Sequence, residues 1–307
     1  MEAEITKTMS TEEKVFEILE QTGLNWTVNQ VPLISKSEDD KLNGLSTGSS
    51  GIFRNDNGGW LGTVSERYTP YQNHQLAETI VLASNGIGLD VSRGGVLGNG
   101  KKVFLQTELT PEYIGKSGVK RFITALNSHN GTTSIGFGSS NTVVICQNTF
   151  YKAYREINKF RHTATASERI KLAMQDLRRA IELDEKLMKN FKIMADTPVS
   201  DEIFANILKK CFDANPDAKR SEETPQKIKQ LEMVNKAVST ELDLEGATLW
   251  GLFNGVTRYT NHYTRSKNKE EYVMVGGGYQ TNLVAYETIM AWIEENTALS
   301  KEVEHLG

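Results

Sequence analysis

Apolar positions return at helical intervals soon after the start of the chain. Val15, Phe16, Ile18 and Leu19 follow Ser10-Thr11-Glu12-Glu13, whose Ser-to-Glu spacing is that of a capping box, and Gly23 supplies a stop. This predicts a docked first helix. A short extended piece surrounds Trp26, and the polar stretch from Lys36 to Ser50, rich in Ser, Asp, Gly and Lys, reads as a mobile loop. Gly51 to Arg54 and Trp60 to Tyr68 flank Asn55-Asp56-Asn57-Gly58-Gly59, which predicts a hairpin. Helical spacing returns over Gln75 to Ala83, with Leu76, Ile80 and Leu82 as the buried side and Gly86 as its end. Extended segments follow at Leu89–Leu97, Val103–Leu109, Val119–Leu126 and Thr142–Cys146, separated by turns at Gly98-Asn99-Gly100 and Asn127 to Gly131; the four are expected to pair antiparallel.

From Gln147 onward the pattern is helical almost to the end. Breaks are expected near Thr163–Ser167, Thr197–Pro198, Asn215–Pro216, Leu242–Gly246 and Gly276–Gly278. Strands first and helices after is the α+β order: an antiparallel sheet with hairpins in the N-terminal half, packed by helices, and a mainly helical C-terminal half. Asp196-Thr197-Pro198 suggests a division into a sheet-containing domain, 1–196, and a helical region, 197–307, packed on the first. No repeat of solenoid length is visible.

Composition adds bounds rather than a function. The 307 residues, 38% apolar and 24% charged, suffice for one sizeable core or two smaller ones. No apolar run approaches the roughly 18–20 residues that cross a bilayer, and the first 25 residues are amphipathic and acidic. The expectation is a cytoplasmic protein with no membrane partner. Cys146 and Cys211, each alone in an apolar setting, fit small hydrophobes in a reducing compartment. The net charge of −4 conceals an asymmetry. Between Val91 and Arg121 six basic residues face only Glu108 and Glu112, and between Tyr151 and Lys192 eleven face six acids, which leaves the remainder strongly acidic. Segregated charge favours an anionic partner or head-to-tail self-association.

Candidate chemistry is sparse. Gly95 to Lys102 fits seven positions of a phosphate-binding loop, but lysine at the eighth supplies no magnesium-binding hydroxyl, and Val103-Phe104-Leu105 reads as strand where a helix must begin. A hairpin turn at Asn99-Gly100 explains the glycines better, and Lys101 and Lys102, with Arg93 nearby, remain as cations for a phosphate backbone. The five histidines have no ligand-spaced neighbours, no serine sits in a nucleophile elbow, and neither cysteine has a nucleophile signature. No metal, cofactor or catalytic residue is assigned. Gly246 to Arg265 combines an apolar helix face with Asn254, Arg258, Tyr259, Asn261, His262 and Arg265, and Gly246 to Lys269 holds four basic residues and no acid. Cations with interleaved rings are what single-strand binding requires; a solvated amphipathic helix with core tyrosines is the bland alternative. A second basic stripe is Lys152, Arg155, Lys159, Arg161 and His162, opposed only by Glu156. Asn73, Asn148 and Thr149 are explained as helix caps.

Three stretches together resemble the phage- and plasmid-related family catalogued as a domain of unknown function, number 932. They are Trp60-Leu61-Gly62-Thr63-Val64 through Tyr68, Gln72 and Asn73; Val144 to Thr149 followed by Arg161-His162-Thr163; and Gly246-Ala247-Thr248-Leu249-Trp250 through Asn254, Thr257, Tyr259 and His262. The resemblance implies a mobile-element or bacterial gene. The order of elements is also similar to that of single-strand annealing proteins of the Rad-fifty-two type, which implies rings holding single-stranded DNA in a basic groove without cofactor chemistry. The expected function is therefore nucleic-acid binding by a mobile-element protein: a homo-oligomer that binds single-stranded DNA and promotes annealing in recombination. The alternatives are an interaction protein engaging a host factor, and an enzyme whose site assembles only in three dimensions.

Overall fold

The computed structural model describes residues 9–132, 135–143, 149–151, 166–214 and 223–306. Lys152, Arg155, Lys159, Arg161 and His162, together with Cys146, Asn148 and the Asn215–Pro216 turn, lie outside the described residues. Helix α1 covers Thr11–Thr22. Its capping box forms as the spacing predicts: the Ser10 hydroxyl accepts from the Glu13 amide at 3.2 Å and the Glu13 carboxylate accepts from the Ser10 amide at 2.7 Å. Gly23 ends it in the left-handed region at φ 66°.

Strands β1 (Val28–Ile34), β2 (Ser46–Arg54) and β3 (Trp60–Ser65) form a three-stranded sheet in that order, antiparallel throughout. The loop expected over Lys36 to Ser50 is shorter than its composition suggests. Ser46 pairs with Ile34 and Ser50 with Pro32, so two flanking ladders hold a polar strand that side-chain propensity alone would not. Helix α2 (Asn73–Asn85) buries Leu76, Ala77, Ile80 and Val81, while Leu82 is only half-buried.

A second sheet contains β4 (Val91–Leu97), β5 (Lys102–Ile114), β6 (Ser117–Ser128), β7 (Gly136–Val143) and β8 (Thr149–Tyr151), in sequence order. The β4–β5 and β7–β8 pairs are antiparallel. Two expectations change here. Strand β7 begins six residues before Thr142, where Gly136 to Asn141 has no apolar alternation, because Ser139, Ser140 and Asn141 are themselves buried. Thr149 to Tyr151 is strand rather than the start of the helical half, so Thr149 is not a helix cap.

Helices α3 (Ala166–Asp196), α4 (Asp201–Phe212), α5 (Pro225–Glu245), α6 (Leu249–Arg258), α7 (Lys269–Met274) and α8 (Gly277–Leu306) complete the α+β fold. The expected break at Thr197–Pro198 falls between helices, and of the one expected at Leu242–Gly246 only Gly246 lies outside α5. By internal packing the chain divides into two compact units, one of Met1–Leu109, Phe122–Ser139 and Ala153–Glu182, the other of Thr110–Arg121, Ser140–Lys152 and Leu183–Gly307. Strands β5, β6 and β7 and helix α3 each contribute to both. The second unit is built around Phe191, Trp250, Phe253 and Tyr286, with Phe191 4.7 Å from Trp250 and 5.6 Å from Phe253 between ring centroids. Helices α5 and α6 approach closely because α6 carries glycines where they meet: a Cβ on Gly255 would stand 2.5 Å from the Val238 Cα.

Candidate functional site

In the first unit, residues far apart in sequence build one polar junction. Asn73, expected as a helix cap, is instead the first helical residue of α2, with Gln72 at the cap position. Its side-chain amide is buried and donates to the carbonyls of Leu24 at 3.1 Å and Trp26 at 3.0 Å. The Asn73 oxygen therefore faces His129 Nε2 at 2.9 Å as an acceptor, which fixes the proton on Nε2 and leaves Nδ1 as a buried acceptor with no partner among the described residues. Burial, with the nearby Arg54 charge, pushes the His129 pKa down to about 4, so the ring is neutral at physiological pH. Trp26 meets the His129 ring edge-on at 5.2 Å, and the Arg54 guanidinium lies over the Trp26 ring at 4.0 Å.

Arg54 links two turns. Its guanidinium forks onto Asp56 within the β2–β3 turn, at 2.9 and 2.6 Å, and holds that carboxyl below the usual carboxylate range. The side chain lies against both Gly59 and Gly100: a Cβ on Gly59 would be 3.9 Å from Arg54 Cδ, and one on Gly100 would be 3.2 Å from Nη1. Gly98-Asn99-Gly100 is the expected hairpin turn, with φ of 56°, 59° and 100°. Trp60 follows Gly59 and is 58% exposed; Lys101 and Lys102 follow Gly100 and are half-buried. Lys101 and Lys102 thus follow one of the two turns that Arg54 touches and Trp60 the other, and Arg54, paired with the buried Val28, lies on the sheet face opposite the one that Phe53 and Trp60 share.

Arg93 lies exposed on β4, an edge of the second sheet. Its Nε donates to the buried Gln106 side chain, which donates to Thr124 at 2.7 Å, and its guanidinium stands 5.0 Å from the Phe122 ring centroid. Its planar cation is held by these contacts on a residue that is exposed.

In the second unit the helix expected to present donors turns most of them inward. Arg258 donates to Glu241 at 2.7 Å, and that carboxylate is fully buried. Asn254 is buried and donates to the Trp250 carbonyl at 3.0 Å, while Asn261 donates to the Thr257 carbonyl at 2.7 Å. Tyr259 is 8% exposed and packs edge-on against Phe212 at 5.3 Å, so it is a core residue and not a stacking surface. The cause is that α6 has no solvent face: every residue from Leu249 to Thr257 is buried, so its polar positions must find partners inside. Beyond Arg258 the helix widens over Tyr259–Tyr263, where the Thr264 amide bonds the Tyr259 carbonyl at 3.2 Å, five residues back. Lys269 caps the same segment through the Thr260 and Thr264 carbonyls. His262 and Arg265 are exposed.

The basic stretch from Val91 to Arg121 also loses a cation to the interior. Arg121 bonds Glu112 and the fully buried Asp184, each at 2.7 Å. Asn141 donates to the other Asp184 oxygen at 3.3 Å. Of the residues singled out in the sequence, Arg93, Lys101 and Lys102 belong to the first unit and Arg258, Tyr259, His262 and Arg265 to the second. Sequence reasoning missed Trp26, Asn73 and His129 as a group, since no local spacing connects them.

Among the described residues no group of three or more His, Cys, Asp or Glu side chains is arranged to hold a metal ion. Nor is any described helix long and apolar enough to cross a membrane. Fold and junction together define an α+β protein whose histidine and asparagine tie chain segments together. The chain belongs to the family described as Domain of unknown function (DUF932), whose model matches residues 60–275. The match contains β3, with Trp60, and the turn bearing Lys101 and Lys102. No curated protein and no solved structure matches the chain.

Tyr68, Gln72 and Asn73, which carried part of the family resemblance, act as ties. The Tyr68 hydroxyl donates to the Ser128 carbonyl at 2.8 Å, and Gln72 bonds both the amide and the carbonyl of Val28, at 2.9 and 3.0 Å. Gly251 and Gly255 in the third stretch serve close helix packing, and Thr248 caps α6. These motif residues are explained by folding.

Proposed function

We propose that the protein binds single-stranded DNA, as a non-enzymatic mobile-element protein that assembles into oligomers and promotes strand annealing. The observation that carries this reading is a run of cations along β4 and the turn after it, Arg93 exposed and Lys101 and Lys102 half-buried, in the same compact unit as the exposed ring of Trp60. Cations that neutralise phosphates and a ring that accepts a base are the two elements of sequence-tolerant single-strand binding. The annealing part rests on analogy alone, from the order of elements that the sequence predicts. Arg93 is an exposed cation on the β4 edge of the same unit; in the second unit, taken by itself, Arg265 and His262 are the exposed residues of the Gly246 to Arg265 segment that the sequence singled out.

Titration of a labelled oligothymidine by fluorescence anisotropy tests the reading. Binding should weaken steeply with salt, and Lys101→Glu with Lys102→Glu should lower the affinity and reduce the log–log salt slope by roughly 1.4, about 0.7 per phosphate contact on a single strand. Absence of binding at low salt sinks the proposal, as does affinity unchanged by the charge reversal.

A further inference from the structure

Antiparallel pairing turns the main chain of alternate residues towards the neighbouring strand and that of the residues between them away from it. Strand β1 has a neighbour in its sheet on one side only, β2, so half of its main-chain groups face an edge. The Thr27 carbonyl accepts from the Asn55 amide at 3.0 Å, on the β2 side. Two and four residues on, Asn29 is opposite Phe53 and Val31 opposite Gly51, which continues that inward series. Val28, Gln30 and Pro32 therefore present their main chain outwards. An edge of this kind, with Val31 and Ile34 exposed along it, is a template for a further strand unless something stops it.

Two of the three outward positions are stopped. At Val28 the Gln72 side chain takes both groups: its oxygen accepts from the Val28 amide at 2.9 Å and its Nε2 donates to the Val28 carbonyl at 3.0 Å. One side-chain amide thus stands where the peptide group of a further strand would stand. The start of α2 fixes it there, since the Gln72 amide donates to the Gln75 side chain at 2.9 Å. Pro32 has no N–H, and the proline costs β1 no ladder bond because its nitrogen faces away from β2. Just beyond it the register shifts between Pro32 and Ile34, which turns the edge aside. Gln30 alone keeps both a donor and an acceptor for a newcomer. We propose that Gln72 and Pro32 close the β1 edge against strand addition, so that copies of this chain do not join through it.

Amide hydrogen exchange followed by NMR reads the edge residue by residue. In the wild-type protein, at low and high concentration alike, the Gln30 amide should exchange roughly tenfold or more faster than those of Asn29 and Val31, and the Val28 amide should become fast in Gln72→Ala. Pro32→Val restores a donor at an exposed position. Combined with Gln72→Ala it frees three outward positions in a row, and light scattering at rising concentration should find roughly twice the wild-type mass, with the Gln30 amide slowed in the larger species. Adding Gln30→Pro should return the mass to that of the wild type. Protection of the Gln30 amide in concentrated wild-type protein would show the edge in use and overturn the proposal. A folded double variant that keeps the wild-type mass overturns it as well. If the double variant does not fold, Pro32→Val alone decides: growth in mass that Gln30→Pro reverses is the expected result, and an unchanged mass is the contrary one.

Discussion

His129 is neutral because of what surrounds it, and that has a measurable consequence. Its pKa falls from an ordinary 6.5 to about 4. Between those values the unfolded chain takes up a proton that the folded chain refuses. The residue's contribution to stability is therefore complete above about pH 6.5 and declines as pH falls towards 4, by an amount on the order of 3 kcal/mol. Asp176 acts in the opposite sense, since burial raises its carboxyl to about 6 and its contribution is lost as pH rises through that value. His129→Gln, which keeps a donor for Asn73, should show a smaller loss of urea midpoint between pH 7 and pH 4.5 than the wild type; an equal loss would place the proton elsewhere. Arg121 offers a second residue-scale test. Its removal as Arg121→Met strips the cation from the fully buried Asp184, and urea unfolding should report a loss of about 3–5 kcal/mol. Neither residue was legible as structural in the sequence, where Arg121 counted as one more cation of a basic stretch. A charge pattern along a chain does not tell which charges meet a partner inside.

Helices and hairpins were far more legible. Ser10 to Glu13, the Asn55–Gly59 turn and Gly98-Asn99-Gly100 form as their spacings predict, because capping and turn formation depend on neighbours within a few residues. Strand β7 and helix α6 were not, since a buried polar strand lacks alternation and a helix buried on all sides has no outer face for its polar positions. The α5–α6 packing yields a ranking of effects. Thr248→Ala removes the N-cap of α6, whose hydroxyl accepts from the Gly251 amide at 3.2 Å, and should cost about 1 kcal/mol. Gly255→Ala drives a methyl group to within 2.5 Å of backbone at Val238, which cannot swing aside, and should cost more, about 1–3 kcal/mol or above. Thermal or urea unfolding of the two variants checks the order; the reverse order would mean that α5 and α6 separate at little cost.

At the scale of the whole molecule, the proposed annealing function predicts a change of mass. Light scattering after size exclusion, with and without a single-stranded oligonucleotide, should find an assembly larger than one chain on the DNA. A single chain per oligonucleotide at all concentrations would argue against annealing and for simple coating. The α+β class, the helical second half and the hairpin lysines were determined by sequence alone, because periodicity and turn chemistry are local properties of the chain. Tertiary structure decided which polar residues work on the inside. It gave Arg258 to Glu241, Tyr259 to Phe212 and Asn73 to His129, and it used Arg54 to join two turns more than forty positions apart, from Gly59 to Gly100. Burial of a polar group depends on a partner brought from elsewhere in the chain, and no spacing within one segment encodes that meeting.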